Sequence, residues 1–370
     1  AIKERVGFIL ISGDLFDTAL PSIDLVKDVA RILYKVKEFD IPIYIIPGSH
    51  DFSPSGKTML DVYEEAGLVE NVCKLNEGKL KFITDRTGIK ITGMVGKKGG
   101  LEIEDYKTLD KFPIEKEIGF KIFMFHSLLD ELKPAGLTMI EGLPMDLLPR
   151  NFNYYAGGHP HLVYGKNHNS YGYIAYPGPM FPNNFVELEE LKYGGLYINE
   201  VTSGVLTPRH YKLKIVDTLT YVIDATNKKP EDVQREILET VKDFDGKIVT
   251  IRVAGVLSSG KPSEIDFKKI NEELKDAYIV LRNTSKLESK EFEMMDIKIE
   301  DVSKVEETMI KEAVKTNNLV FSEELIFKLM NALDKDKLEG ERTADFEIRV
   351  LKEALDVLNI KGADKNDLVL

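Results

Sequence analysis

Ile43-Tyr-Ile-Ile-Pro-Gly-Ser-His-Asp51 is a short apolar run that stops at Pro47-Gly48 and then delivers a histidine and a carboxylate. Apolar residues in succession, without polar alternation, read as a parallel strand covered on both faces, and Pro-Gly marks its end. Open α/β sheets place their chemistry outside the carboxyl ends of their strands. His50 and Asp51 therefore stand where a functional site is expected, with Ser49 beside them.

The residues on either side extend this pattern. Residues 6–11 (Val-Gly-Phe-Ile-Leu-Ile) form a second continuous apolar run, ending in Ser12-Gly13-Asp14-Leu15-Phe16-Asp17. Between the two runs, Ile23, Val26, Val29, Ala30, Leu33 and Val36 recur at helical spacing with charges between them. Strand, helix and parallel strand predict one right-handed βαβ unit, with Asp14 and His50 at the same sheet edge. A helix is expected over residues 59–68, ending at Gly67, and weaker strands over 80–83 and 89–95. Lys97 and Lys98 in the loop 96–100 read as solvated, with phosphate contact as the second reading. Residues 120–125 form another buried strand that stops at His126, and 154–158 one that stops at His159-Pro160-His161.

From about residue 207 the character changes. Strands are expected over 211–226, 247–254, 277–282 and 294–299, and helices over 230–241 and 263–274. Pro230 suits a first helical position, and Ser263 with Asp266 resembles a capping box. After residue 299 the pattern is helical: Val302, Val305 and Met309, then a helix carrying Leu325, Ile326, Leu329, Met330 and Leu333. A further helix from Thr343 carries Phe346, Val350, Leu351, Leu355 and Leu358, beyond the charged loop 334–342. A helical pair this small cannot bury both stripes alone, so one is expected to dock elsewhere.

With 370 residues, 43% hydrophobic and 30% charged, the chain is long enough for two or three domains. A net charge of −12 argues against a chain-wide electrostatic grip on DNA or an anionic membrane. The single Cys73 excludes an internal disulfide framework and a cysteine-based zinc site, and fits a reducing cytoplasm. No apolar run reaches membrane-spanning length. The opening Ala1-Ile-Lys-Glu reads as the last turn of a helix that begins upstream.

Of six histidines, His50, His126, His159 and His161 sit where an apolar strand ends, whereas His168 and His210 do not. With Asp14 they supply the carboxylate and imidazole donors that Mn, Fe or Zn accept. His159 and His161, two apart, share one face if the segment is extended, and do not if Pro160 makes a turn.

This constellation resembles the calcineurin-like metallophosphoesterases. Gly13-Asp14 stands at the family's G-D motif, Gly48-Ser49-His50-Asp51 at its G-N-H-D/E motif, His126 at its single-histidine strand end, and Gly158-His159-Pro160-His161 at its G-H-x-H motif. Gly13-Asp14-Leu15-Phe16, Tyr154-Tyr155-Ala156 and Tyr176-Pro177-Gly178 are similar to the SbcD or meiotic-recombination-eleven type, the nuclease subunit of a double-strand-break repair complex. The resemblance implies an α/β metallophosphoesterase sandwich over residues 1–206, a small α/β capping domain over 207–299, and a C-terminal helical segment over 300–370. It implies two divalent ions, Mn above others, about 3.5–4 Å apart, activating a water for in-line attack on a DNA phosphodiester. Asp14 would bridge both ions, His126 and His159 would complete one, and His161 would bind the other. His50 would sit over the phosphate and protonate the leaving oxygen. Asp51 would orient His50 or cap a turn; Asp17 stands where several relatives carry a histidine, and would either help position DNA or serve as a helix N-terminal carboxylate. The implied partners are DNA ends, a second copy of the chain, and a coiled-coil ATPase gripped by Leu325, Ile326, Leu329, Met330 and Leu333. The implied location is cytoplasmic, at the nucleoid.

The chain departs from the family in places. The family's Asp-x-His on an earlier strand has no counterpart, which corresponds to roughly 30–40 residues expected upstream. Ser49 replaces an asparagine whose carbonyl binds metal, and a hydroxyl is a weaker ligand. Pro179 stands where relatives carry serine. Ser49 and the absent first motif support a second reading, a scaffold that binds DNA ends and the ATPase but has weakened chemistry. A third, a hydrolase of small phosphodiesters, leaves the helical pair without a role.

Overall fold

The strand that opens the sequence argument, β2 (Ile43–Ile46), pairs in parallel with β1 (Ile9–Ser12), Ile9 opposite Ile43 and Ser12 opposite Ile46. The computed structural model describes residues 1–51, 53, 57–133, 142–290, 323–335 and 343–358. Helix α1 (Ile23–Lys37) joins the two strands as expected. Ser22 caps it, accepting from the Leu25 N–H at 3.4 Å, with Asp24 in the first turn and Lys35 and Lys37 in the last. After α2 (Met59–Glu65), β3 (Glu70–Asn71) adds in parallel to β2.

A small hairpin, β4 (Leu75–Asn76) and β5 (Lys79–Leu80), leads into a second sheet. Its members are β6 (Ile83–Thr84), β7 (Lys90–Gly93), β8 (Lys121–His126), β9 (Tyr154–Gly158), β10 (Val163–His168) and β11 (Gly172–Pro177). Their order is β10-β11-β9-β8-β7-β6, with the four inner strands parallel and both edge strands antiparallel. The expected strand 80–83 is thus split between β5 and β6.

The two sheets face each other across one apolar layer. Tyr44 and Ile46 meet Ile122, Met124, Tyr154 and Ala156 there. The alternate residues of the same strands point outward. Ile43 and Ile45 pack with Leu33 of α1 and with Leu60 and Tyr63 of α2. Phe123 and Phe125 pack with Tyr106 of α3 (Glu102–Thr108) and Ile114 of α4 (Phe112–Lys116). Both faces of each central strand are therefore apolar, which is why these segments lack alternation. The result is a layered sandwich of helices, two sheets and helices, as the sequence predicts.

Beyond α5 (Phe185–Glu190), β12 (Gly194–Thr202) and β13 (Val205–Leu213) form a long antiparallel hairpin that includes position 206. A three-stranded sheet follows, β14 (Thr218–Asp224), β15 (Ile248–Leu257) and β16 (Ile279–Ser289), with α6 (Pro230–Thr240) and α7 (Phe267–Glu273) packed on it. The expected strand 211–226 is two strands, because β13 pairs with β12 while β14 pairs with β15 and the chain must change sheets between them. Pro230 opens α6 as expected. The second helix is capped by Asp266, which accepts from the Lys269 N–H at 2.9 Å, and Ser263 lies in a short 3₁₀ turn before it.

The chain divides into two compact units, residues 1–257 with 262–287, and 258–261 with 288–370. In the second unit α8 (Glu323–Leu333) packs against α9 (Thr343–Val357), with Ala332 and Ala354 buried. Leu325, Ile326 and Leu329 are half-buried, and Met330 and Leu333 are 40% and 53% exposed. The expected strand 294–299, Val302, Val305, Met309 and residues 336–342 lie outside the described residues. Among the described residues no helix is long and apolar enough to cross a membrane.

Candidate metal centre

Three strand ends converge at one edge of the sandwich. At the end of β1 the chain turns through Gly13 and Asp14, both at positive φ (92° and 53°). That turn brings Asp14 against Gly48, where a Cβ would lie 2.2 Å from Asp14 Oδ1. Asp14 Oδ1 accepts the His50 N–H at 2.8 Å. Asp51, only 3% exposed, locks the two turns together, accepting from the N–H groups of Gly48 (3.0 Å), Leu15 (3.2 Å) and Phe16 (3.2 Å). Burial, opposed by these donors and aided by the Asp14 charge, holds the Asp51 carboxyl above its ordinary pKa.

His126, at the end of β8, is 2% exposed. Its Nδ1 lies 2.7 Å from the Ser12 carbonyl oxygen. A carbonyl can only accept, so Nδ1 carries a proton and Nε2 is the ring nitrogen that faces Asp14. That nitrogen is buried without a hydrogen-bond partner, 3.1 Å from Asp14 Oδ2. Two acceptors facing each other in a buried site repel unless a cation lies between them, either a second ring proton or a metal ion. His159, at the end of β9, stands beside them, its ring centroid 5.1 Å from that of His126. Donor atoms of Asp14, His126 and His159 all lie within 4.8 Å of one another. This orphaned nitrogen and its oxygen and imidazole neighbours fit a divalent Mn, Fe or Zn ion.

The electrostatics favour ligation. Burial pushes the Asp14 carboxyl upward, but the His126 contact and the His50 N–H outweigh it and leave the pKa below the ordinary value. Desolvation and the neighbouring His126 hold the His159 imidazole below its ordinary value, which favours the neutral form.

The remaining expected residues sort by position. His159 has φ 90°, so the His159-Pro160-His161 segment turns and its two imidazoles do not share an extended face. His161 lies outside the three-residue group; its Nδ1 is 2.6 Å from Glu187 Oε1. His50 is exposed, with Nδ1 2.7 Å from the backbone oxygen of Asp17. The ring is therefore oriented by the Asp17 carbonyl, while Asp51 serves the turns. Ser49 is buried at 6% exposure. His168 closes the edge strand β10, which runs the opposite way, and hydrogen-bonds the Tyr164 hydroxyl at 2.7 Å. His210 in β13 approaches the Pro177 carbonyl at 2.9 Å. Lys97 is ion-paired with Asp105 at 2.5 Å.

Two supporting carboxylates lay outside the sequence reading. Glu102 is buried, accepting from the Ser127 hydroxyl (2.6 Å) and the Lys97 N–H (3.2 Å), and so ties the 96–97 loop to the residue after His126. Glu187 follows its helix cap Asn184 by three residues, the spacing of a capping box, and that pattern was the available signal.

The loop beside His126 leaves no room for a side chain. A Cβ on Gly96 would lie 2.5 Å from His126 Cδ2 and 2.8 Å from its carbonyl oxygen. Gly96→Ala is expected to displace His126, lower stability by about 1–3 kcal/mol, and weaken Mn²⁺ binding. A metal titration beside thermal unfolding checks this, and unchanged Mn²⁺ affinity would contradict it.

Comparison with known proteins agrees with this geometry. Residues 1–163 match the family model described as calcineurin-like phosphoesterase. Proteins named DNA double-strand break repair protein Mre11 are similar to the chain. That of Archaeoglobus fulgidus is 24% identical over 332 residues, 81% of this chain and 72% of that protein. That of Methanococcus maripaludis is 27% identical over 248 residues, 64% of this chain and 63% of that protein. That of Sulfurisphaera tokodaii is 34% identical over 166 residues, 44% of this chain and 40% of that protein.

Proposed function

Residues 1–163 match the calcineurin-like phosphoesterase family model, and from that premise we propose that the chain is the Mn-dependent DNA exonuclease and endonuclease subunit of a double-strand-break repair complex. The observation that carries this reading is the buried, unpartnered His126 Nε2 facing the half-buried Asp14 Oδ2, with His159 beside them. Similarity to proteins named for DNA double-strand break repair supports a DNA substrate.

Asp14, His126 and His159 would hold one ion, and Asp14 with His161 and Ser49 would hold a second. When bound, two such ions lower the pKa of a water and neutralise charge on the scissile phosphate. With one N–H fixed on the Asp17 carbonyl through Nδ1, the imidazolium form of His50 would carry a second proton on Nε2, give it to the leaving oxygen and be left as the neutral Nδ1–H ring. Asp51 keeps the His50 turn and the Asp14 turn in register. Incubating full-length protein with linear DNA and Mn²⁺, and repeating with His50→Ala, tests the assignment; equal cleavage by the two proteins refutes it.

Ser49 favours a second reading, a scaffold that binds DNA ends and the partner with weakened hydrolysis, since its hydroxyl is a poorer ligand than an amide carbonyl. Two tightly bound Mn²⁺ ions on the full-length protein would exclude it.

A homodimer is supported by apolar residues on α1 and α2 that stay exposed: Ile23 (87%), Ile32 (63%), Tyr34 (56%) and Val62 (55%). Ile32→Asp is expected to yield monomers in sedimentation, and an unchanged dimer would contradict this face. Leu325, Ile326, Leu329, Met330 and Leu333 form the surface for a coiled-coil ATPase, by the helix-in-groove logic of amphipathic docking. Leu329→Asp should abolish capture of that ATPase, and unaltered capture would contradict the docking role. The chain acts on chromosomal DNA in the cytoplasm.

A further inference from the structure

We propose that the capping sheet holds His161 in its metal-binding orientation through α5, with Glu187 as the positioning residue for the imidazole and Arg252 as the anchor of the helix. This rests on the reading of His161 as a ligand.

His161 follows a turn and its side chain is 47% exposed, so burial does not fix its ring. Its Nδ1 meets Glu187 Oε1 at 2.6 Å. The Glu187 side chain is 11% exposed, and its carboxylate is held in place by the Asn183 N–H at 3.0 Å and by the Asn184 side-chain amide. An ionised carboxylate only accepts, so Nδ1 carries the His161 proton and Nε2 keeps its lone pair for a metal. Carboxylates set the tautomer and ring orientation of ligand histidines in this way.

Glu187 is only as well placed as α5, and a helix of six residues does not hold itself. Asn184 caps it, and Leu188 is buried at 4%. A further restraint comes from β15. Arg252 Nε lies 3.0 Å from Glu189 Oε1 and a terminal guanidinium nitrogen 2.5 Å from Oε2, a forked pair with side chains 21% and 13% exposed. The same guanidinium covers the Phe185 ring at 5.1 Å from its centroid. Arg252 thus grips both ends of the short helix, and its backbone is fixed in the ladder opposite Val222. A continuous path runs from the capping sheet through Arg252, Glu189 and Glu187 to His161, so the capping domain is part of the metal centre.

The test uses the full chain with ¹⁵N-labelled histidine, metal-free, at pH about 8.5, some two units above the ordinary imidazole value. Long-range ¹H–¹⁵N spectra read each tautomer directly. The expected wild-type result is a single Nδ1–H tautomer for His161. Glu187→Ala and Arg252→Met should both convert it to a tautomer mixture while leaving His126 and His159 unchanged. Glu187→Gln and Arg252→Lys, which keep an acceptor and a charge, should restore part of the wild-type signal. In parallel, the weaker Mn²⁺ dissociation constant should rise about 10–100-fold in Arg252→Met, the tighter one staying constant. A His161 spectrum unchanged in Arg252→Met would overturn the proposal. Should the wild type bind no second Mn²⁺, the functional reading fails, and the tautomer spectra still decide the positioning role.

Discussion

Asp14→Asn is expected to give a folded protein that cleaves DNA about a thousandfold or more slowly, because on the proposed function several kcal/mol of charge stabilisation at the phosphate depend on ions this carboxylate would hold. The substitution is nearly isosteric. The amide oxygen can still accept the His50 N–H, so the turn should survive. The amide nitrogen then faces His126 Nε2 and donates to a lone pair that lacks a hydrogen bond in the wild type. The metal-free Asp14→Asn protein should therefore stay folded, with an amide–imidazole hydrogen bond in place of the Asp14–His126 contact. Lost activity with the fold retained is the signature of a functional residue. Equal loss of both would mean that Asp14 is a structural residue.

His50→Ala should lower the cleavage rate by about 10²–10⁴-fold, the usual contribution of a positioned general acid, while leaving Mn²⁺ and DNA binding intact. The separation follows from position. The His50 side chain is exposed, and its hydrogen bond is to the Asp17 carbonyl, so no part of the metal cluster rests on the ring. Its backbone N–H, which does support Asp14, is retained in alanine. Rate loss accompanied by loss of bound metal would place His50 among the ligands instead.

Much of this architecture was legible from residues 43–51. Unbroken apolar runs dictate strands buried on both faces, and β2 is buried at every position. The same logic located His126 and His159, because a strand that stops at a histidine leaves it at the sheet edge. The supports were harder to read. Ser12 acts through its carbonyl, and any residue supplies a carbonyl. Asp51 was expected as a partner of the His50 ring or a turn cap; it serves three backbone N–H groups, two of them on the neighbouring strand's turn. Glu187 lies 26 residues from His161 in a helix too short to show periodicity. The strand expected over 211–226 failed because propensity does not reveal which sheet a strand joins.

The central claim is that Asp14, His126 and His159 form a divalent-metal site. Titrating the full-length protein with Mn²⁺ and reading the free ion by electron paramagnetic resonance, side by side with Asp14→Asn, addresses it directly. Tight Mn²⁺ binding that disappears in the variant is the predicted result. An identical titration curve for the two proteins, or no bound Mn²⁺ in either, would contradict it.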